Sequence, residues 1–382
     1  MRFAPRMSSI QLSGIRKMFE MAGEGAVHLG LGEPDFNPPQ EAIDAVCRAM
    51  REGKNSYQST FGIKPLREAV AERLRRYWNE ITWERVVITQ SGSEALFSAI
   101  FSVVGEGDEV LLPDPGFVLY APQVTLSGGR PVFYHLKKEN SFRPDLGEME
   151  TLITDRTKAI VLNYPNNPTG GVIDEAVAEE IVDLARRHGL FIISDEVYDR
   201  IIYSRQHVSF LGRYERTILV NSFSKTLAMT GWRLGYLAGE KEIMERVALA
   251  HYHVLACPST PLQYGALAAM EGEDDFVEMM MERFRRRREM VIEGLKRIPG
   301  FSLHPPGGAF YAFPSVNLVK DGKRLSSEEV AMELLKGGVI TVPGSAFGEA
   351  GEGFLRLSFA TSEDLLEEGL KRISSVVEEL DR

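Results

Sequence analysis

Six short apolar runs recur along the middle of the chain, and most of them are followed by polar residues. They are rich in β-branched residues, which is typical of strands buried within a sheet. Between them lie stretches with apolar residues at helical spacing, such as residues 93–104 and 175–188. Strands that alternate with helices predict a mostly parallel α/β sheet with helices on both faces. The runs are ERVVIT (84–89), DEVLLP (108–113), RPVFYH (130–135), KAIVLN (158–163), LFIISD (190–195) and RTILVN (216–221).

The C-terminal part of the chain has a different pattern. Residues 276–298 predict a long charged helix, and two strand-like stretches, GGAFYAFP (307–314) and GFLRLSFA (353–360), flank a helix near 327–336. A last amphipathic helix covers residues 363–380. A chain of 382 residues exceeds the size at which one core stops growing, so two domains are expected. We predict a large domain over residues 35–270 and a smaller α+β domain formed by residues 1–34, with an amphipathic stretch near 15–21, and residues 271–382.

Composition excludes several classes of protein. The chain carries 44 Lys and Arg against 54 Asp and Glu, a net charge of −10, and this acidity argues against a nucleic-acid partner. No apolar run is long enough for a membrane span, and the first residues lack the apolar core of a signal peptide. Two cysteines, Cys47 and Cys257, rule out a disulfide scaffold. We therefore expect a cytoplasmic protein without a membrane contact.

Polar residues cluster directly after the predicted strands. Since ligands of open parallel sheets bind beyond the carboxyl ends of the strands, these tips predict one shared pocket. The tips are TQSGS (89–93), PDPGF (113–117), NYPNNPT (163–169), SDEVY (194–198) and NSFSK (221–225).

Three charged residues near these tips suggest a chemistry. Asp195 directly follows an apolar strand, Lys225 ends another tip, and Arg233 comes eight residues later. Taken singly, Asp195 is explained as a helix cap and Lys225 as a solvated loop lysine. Taken together, a lysine can form a Schiff base, a carboxylate can face a pyridine nitrogen, and an arginine can hold a phosphate. Pyridoxal 5′-phosphate (PLP) requires all three.

The segment QSGSEAL predicts the phosphate end of this pocket. Gly92 lies at a strand-to-helix turn between the hydroxyls of Ser91 and Ser93, and the helix that follows offers free N–H groups. An ordinary helix cap is the alternative explanation. A Walker loop is absent, and the pair Gly30 and Gly32 lacks the third glycine of a dinucleotide fingerprint, which disfavours a nicotinamide enzyme.

Read in order, these motifs resemble those of the fold type I, class I/II PLP-dependent aminotransferases over nearly the whole chain. The resemblance implies an aspartate aminotransferase-like fold and a ping-pong transfer of an amino group from an L-amino acid, aromatic, aspartate or similar, to a 2-oxo acid such as 2-oxoglutarate. TGWRLGY and VPGSAFG look most like archaeal and bacterial aromatic or aspartate aminotransferases. The motifs are SGSEAL, DPGF, NYPNNPTG, SDEVY, SFSKT, MTGWRLGY and FLRLSF.

The resemblance also implies a role for each matching residue. Lys225 would hold PLP through a Schiff base and later move the proton, and Asp195 would pair with the ring nitrogen. Asn167 and Tyr198 would contact the ring hydroxyl, and Phe117 would stack on the ring. The phosphate would be held by Ser91, Gly92, Ser93, Ser222 and Arg233.

Further residues are implied for the substrate and for a second subunit. Arg356 would clamp the substrate α-carboxylate, beside the backbone of Gly32, with Phe117 and Asn167 near the substrate. Tyr57 would reach the phosphate of a neighbouring subunit, which implies a homodimer. One aspartate-specific branch has a lysine near the position of Ser93, which this chain lacks. Candidates to line the side-chain pocket, with plain core as the alternative, are Phe19, Phe36, Phe61 and Tyr120.

Two other functions stay open on the sequence. A carbon–sulfur β-lyase of the same fold would share the lysine, aspartate and arginine of the site. A non-catalytic regulator on this fold would need an additional DNA-binding module, for which the residues before the sheet are too few. The basic run at 283–288 is interpreted as a solvated helix face with ion pairs. His251 and His253 are two residues apart, which on a helix makes a poor metal pair, so no metal site is expected.

Overall fold

The computed structural model describes residues 7, 10, 25–203 and 206–380. The strands are β1 (Val27–His28), β2 (Val86–Thr89), β3 (Glu109–Asp114), β4 (Arg130–His135), β5 (Thr157–Asn163), β6 (Phe191–Asp195), β7 (Thr217–Ser222), β8 (Gly235–Gly239), β9 (Phe301–Ser302), β10 (Tyr311–Ala312), β11 (Ser315–Val316), β12 (Val319–Lys320), β13 (Lys323–Arg324), β14 (Val339–Ile340), β15 (Val342–Pro343) and β16 (Leu355–Ser358). The α-helices are Gln40–Arg51, Lys64–Leu74, Gly92–Val103, Tyr120–Leu126, Leu146–Leu152, Glu175–His188, Phe223–Thr226, Lys241–Leu255, Thr260–Glu271, Glu273–Lys296, Ser327–Lys336 and Glu363–Leu380.

A seven-stranded sheet forms the centre of the fold, in the order β2-β8-β7-β6-β5-β3-β4. All six predicted runs are strands of this sheet, so the α/β prediction is confirmed. Strand β8 was not predicted, and it lies antiparallel between β2 and β7. Its first residue, Gly235, must be small, because a Cβ there would lie 2.6 Å from the backbone nitrogen of Gly92.

Alternate residues of the strands face opposite layers of helices. Val110 and Val161 pack under the helices Gly92–Val103 and Lys241–Leu255, whereas Leu111 and Ile160 pack with the helix Glu175–His188 on the other face. The core strands are almost wholly apolar because both faces are covered. Within the described ranges, every helix is too short or too polar to span a bilayer.

The C-terminal part contains short antiparallel pairs and long helices. Strand β16 lies between β10 and β15, and the helices Ser327–Lys336 and Glu363–Leu380 pack nearby. Strand β1 pairs in parallel with β14, so residues 27–28 join this C-terminal part. The boundary between residues 35–270 and the rest stays a prediction, and the amphipathic stretch near 15–21 lies outside the described residues.

The basic run at 283–288 lies on the helix Glu273–Lys296, as predicted. Arg285 and Arg288 pair with Glu278 and Glu289. Arg287 is an exception to the solvated face, because it is only 2 % exposed. Its guanidinium donates to both carboxylate oxygens of Asp35, at 2.6 and 2.9 Å. This arginine therefore ties the long helix to the segment that leads from β1 toward the cavity.

Candidate active site

A cavity of about 220 Å³ lies at the carboxyl ends of β5, β6 and β7. The register places Asn163 beside Asp195, and Asp195 beside Val220, so the predicted tips are neighbours. The structure brings together most of the predicted site residues in its wall: Gly32, Gly92, Ser93, Phe117, Asn167, Asp195, Tyr198, Ser222, Lys225, Arg233 and Arg356.

Lys225 belongs to the short helix Phe223–Thr226, which directly follows β7. Its ammonium nitrogen donates to the backbone oxygen of Gly32 at 2.6 Å. Burial lowers the pKa of Lys225 to about 8, while nearby Glu33 opposes the shift. A lysine amine with such a pKa is a competent nucleophile near neutral pH.

Asp195 ends β6 with its side chain in the same cavity. Burial raises the pKa of this carboxyl group to about 6, and a hydrogen bond from Tyr120 opposes the rise. The Tyr120 hydroxyl donates to Oδ2 at 2.8 Å. A buried carboxylate favours a cationic partner, so a positively charged ring nitrogen would suit this position.

The opposite end of the cavity has the geometry of an anion site. Ser91 caps the helix Gly92–Val103 with a backbone φ of 87°, and the first N–H groups of a helix have no acceptor within it. Ser222 packs directly against this turn, since a Cβ on Gly92 would lie 3.2 Å from its Cβ. Arg233, whose φ is also positive at 58°, brings a guanidinium to the same wall. Ser91 supports the turn without lining the cavity.

Arg356 comes from β16 and is buried. It donates to Asn167 Oδ1 at 2.9 Å and to the backbone oxygen of Gly30 at 2.7 Å, while its Nε is buried without a partner among the described residues. The ring of Tyr311 lies 4.5 Å from the guanidinium carbon, and its hydroxyl is 2.9 Å from that of Tyr198. A buried guanidinium in the cavity wall fits an arriving carboxylate.

Several predicted residues lie elsewhere in this chain. Tyr57 is 87 % exposed and does not line the cavity. Phe36 packs edge-on to Phe284 and Phe61 packs under Arg67, so both are packing residues rather than pocket residues. Tyr120 is buried behind Asp195. Phe19 lies outside the described residues.

Sequence reasoning missed part of the wall. Asn163 and Ser224 were inside the predicted tips without being chosen. Tyr311 was in a stretch predicted as a strand, but nothing local links that strand to the pocket. The wall residues that were not predicted are Leu31, Leu96, Asn163, Val197, Ser224 and Tyr311.

Together these groups fit PLP. The donor set offers an amine, a buried carboxylate and an anion site, which match the aldehyde, the ring nitrogen and the phosphate of that cofactor. The model for aminotransferase class I and II matches residues 24–373 of the chain.

Individual proteins are similar over nearly their full length. A probable aspartate aminotransferase of Methanocaldococcus jannaschii is 40 % identical over 98 % of this chain and 99 % of its own. Aromatic-amino-acid aminotransferase 2 of Thermococcus litoralis is 39 % identical over 99 % of both chains. The solved structure of Thermus thermophilus aspartate aminotransferase with maleate superimposes with a TM-score of 0.91, at 37 % identity over 98 % of this chain and 100 % of that one. The chain therefore belongs to the class I and II aminotransferases, PLP-dependent enzymes that move amino groups between amino acids and 2-oxo acids.

Proposed function

We propose that the cavity is the active site of this aminotransferase and that Lys225 carries the cofactor there. The observation that carries the proposal is the meeting of one lysine, one carboxylate and two arginines in a single wall, from Lys225, Asp195, Arg233 and Arg356. These residues come from distant parts of the sequence. Their convergence gives each chemical group of cofactor and substrate a partner of suitable charge.

Lys225 supplies both the amine that joins the cofactor and the base that moves the proton at the substrate Cα. With a pKa of about 8, about a tenth of the amine is neutral at pH 7. The Gly32 carbonyl accepts from this amine. The residue that holds the proton therefore rests against the segment that borders the substrate end of the cavity.

When bound, PLP supplies a ring that withdraws electrons from the substrate Cα. Asp195 would keep the ring nitrogen protonated, since its buried carboxylate would be stabilised by a facing cation. Asn167 and Tyr198 would contact the ring hydroxyl, and Phe117 would cover one face of the ring. All four side chains line the cavity.

The turn at residues 91–93, Ser222 and Arg233 would hold the phosphate of the cofactor. Support comes from the free N–H groups of the helix and from the guanidinium on the same wall. At the other end, Arg356, whose buried side chain lines the cavity, would hold the substrate α-carboxylate. The two anionic groups are thereby bound at separate arginines.

For the amino donor we favour an aromatic side chain over aspartate, within the range that the names of the relatives give. Between the two ends, Leu31, Leu96, Phe117 and Val197 provide an apolar wall. Among the described wall residues, the cations are those already assigned to cofactor and α-carboxylate. A second substrate carboxylate would meet no further positive charge from them.

The working unit that we propose is a homodimer. Tyr57 is exposed here, although the family resemblance gives it a place at the phosphate of a second subunit. Large apolar side chains are also exposed on the helices Gly92–Val103 and Lys241–Leu255, which pack against each other; they include Phe101, Leu249 and Tyr252. Such a surface suits a second copy of the chain. The two free cysteines support a cytoplasmic setting.

Borohydride reduction followed by peptide mapping tests the cofactor assignment. PLP should be trapped on the peptide that contains Lys225, and Lys225→Ala should trap none. Lys241→Ala is the matched control, since this lysine is exposed and pairs with Glu84. Labelling of the Lys225→Ala protein equal to that of the wild type would refute the assignment.

Single-turnover half-reactions test the substrate. The PLP form is mixed with one amino acid at a time, and its conversion to the pyridoxamine form is followed by absorbance. We expect aromatic donors to react more than tenfold faster than aspartate, a difference of about 1.4 kcal/mol. Faster conversion by aspartate would refute the apolar assignment. Release of pyruvate from cystathionine without a 2-oxo acid would instead indicate a β-lyase.

A further inference from the structure

The helix Gly92–Val103 carries an acidic side chain, Glu94, in its first turn. The carboxylate accepts from the backbone nitrogen of Gln90 at 3.1 Å and from the Ser98 hydroxyl at 2.5 Å. It therefore closes the loop that leads into the turn at residues 91–93. Yet the proposed function places a phosphate at this same helix terminus, and two anions at one terminus repel each other.

His251 lies against that carboxylate. It comes from the helix Lys241–Leu255, is 0 % exposed, and has Nδ1 at 3.0 and 3.1 Å from the two oxygens of Glu94. Its Nε2 is buried and has no hydrogen-bond partner among the described residues. Among the described residues, Glu94 is therefore the hydrogen-bond partner of the His251 side chain.

We propose that the hydrogen bond from His251 Nδ1 offsets the negative charge of Glu94 and so keeps the helix terminus available to the phosphate of the cofactor. His251 is a positioning residue, because it acts through Glu94 and does not line the cavity. The inference rests on the proposed function, since it needs a phosphate at residues 91–93. The new point is that Glu94, which closes the loop, is compatible with a phosphate at this helix terminus because His251 on another helix faces it.

The alternative explanation is a structural brace, in which His251 and Glu94 only hold their two helices together. It predicts a different result from charge compensation. If the pair only held two helices together, loss of either partner would weaken the site, and loss of both would not help. If His251 compensates a charge, Glu94→Gln removes the need for it. Glutamine keeps an oxygen that can accept from Gln90, so the loop remains closed. The double variant then distinguishes the two explanations.

The experiment measures the affinity of the apoenzyme for PLP and for pyridoxal, which lacks the phosphate. His251→Gln should bind PLP about tenfold more weakly than the wild type does, which is within the range known for charges at helix termini. Its affinity for pyridoxal should equal that of the wild type. Glu94→Gln should bind PLP at least as tightly as the wild type. The double variant should recover PLP affinity to within about threefold of the wild type.

His253→Gln is the matched control, because this histidine is exposed on the same helix. A double variant as weak as His251→Gln, or an equal loss for pyridoxal and PLP, would overturn the inference. If His251→Gln does not fold, Glu94→Gln and the double variant decide between the explanations, since a brace predicts that both lose affinity. A wild-type enzyme with no preference for PLP over pyridoxal would instead refute the phosphate site itself.

Discussion

Replacing Arg73 by methionine tests a buried ionic cluster directly behind the pocket. Arg73 donates to both carboxylate oxygens of Asp199 at 2.9 Å and to Glu273 at 2.8 Å. Asp199 directly follows Tyr198, which lines the cavity. The cluster therefore holds the segment that follows Asp195 and carries Tyr198.

The size of the destabilisation depends on which partners the two carboxylates keep when Arg73 is lost. In Arg73→Met, Glu273 keeps Arg200 at 3.2 Å, whereas Asp199 keeps the Tyr77 hydroxyl at 3.3 Å. Removing one partner of a buried ion pair costs about 3–5 kcal/mol. We expect a decrease of that size in the free energy of unfolding of the apoenzyme at pH 8.

The decrease depends on pH in a defined direction. Burial alone would raise the pKa of Asp199, but the charges of Arg73, His207 and Arg200 together outweigh it and hold that pKa below its usual range. In the wild type this pair therefore stabilises the fold at pH values above the ordinary carboxyl pKa, and the stabilisation is lost as the pH falls through the pKa of Asp199 in the folded protein. In Arg73→Met the pKa of Asp199 rises, and its protonation removes the buried charge. The gap between the two proteins should narrow steadily as pH falls from 8 to 4.

Urea unfolding followed by circular dichroism at several pH values measures this gap. Arg75→Met is the matched control. Arg75 lies at the C-terminal end of the helix Lys64–Leu74, which also carries Arg73, but it is exposed and pairs with Glu72. A surface pair of this kind contributes about 0–1 kcal/mol. If Arg73→Met behaves like the control, or if its deficit is the same at pH 4 and pH 8, the buried pair does not act as described.

Three further variants probe the cavity wall. Tyr120→Phe should raise the pKa of Asp195 from about 6 by about 1–2 units. The free energy of unfolding of the apoenzyme falls with rising pH until this carboxyl group has ionised in the folded protein, so in the variant it should stop falling at a higher pH. If the pH at which it stops falling is unchanged, the hydrogen bond from Tyr120 does not act on Asp195 in this way. Arg356→Lys should raise KM about tenfold or more for every amino acid, whereas a change for one donor only would exclude α-carboxylate binding. Gly235→Ala should weaken binding of PLP more than of pyridoxal, since the new Cβ would meet the Gly92 nitrogen at 2.6 Å; equal losses in titrations would argue against it.

The sheet was predictable because its signal is local. Each core strand is a short apolar run, and the polar residue at its end, such as Asp195, marks the side where the cavity lies. Strand β8 escaped prediction because GYLAG begins and ends with glycine and has no β-branched residue. Its place between β2 and β7 is set by pairing, which no single segment encodes.

The cavity was only partly predictable for the same reason. Lys225 and Asp195 follow strands of the sheet, so topology alone brings them together. Arg356 was assigned from the family resemblance, and Tyr311 was missed, because both reach the pocket from the C-terminal part through packing between distant segments. Phe36 shows the converse, because this aromatic residue near a motif packs against Phe284 and Arg287 and does not line the pocket.

The hydrogen bonds from Lys225 to Gly32 and from Arg356 to Gly30 have a consequence for synthesis on the ribosome. The loop after β1 is translated early, but its two partners appear about halfway and near the end of translation. A nascent chain can therefore form much of the central sheet while the loop still lacks its arginine. Vitamin B6 retained by a stalled or truncated product would not show that the pocket is finished, whereas capture of an amino acid ligand would.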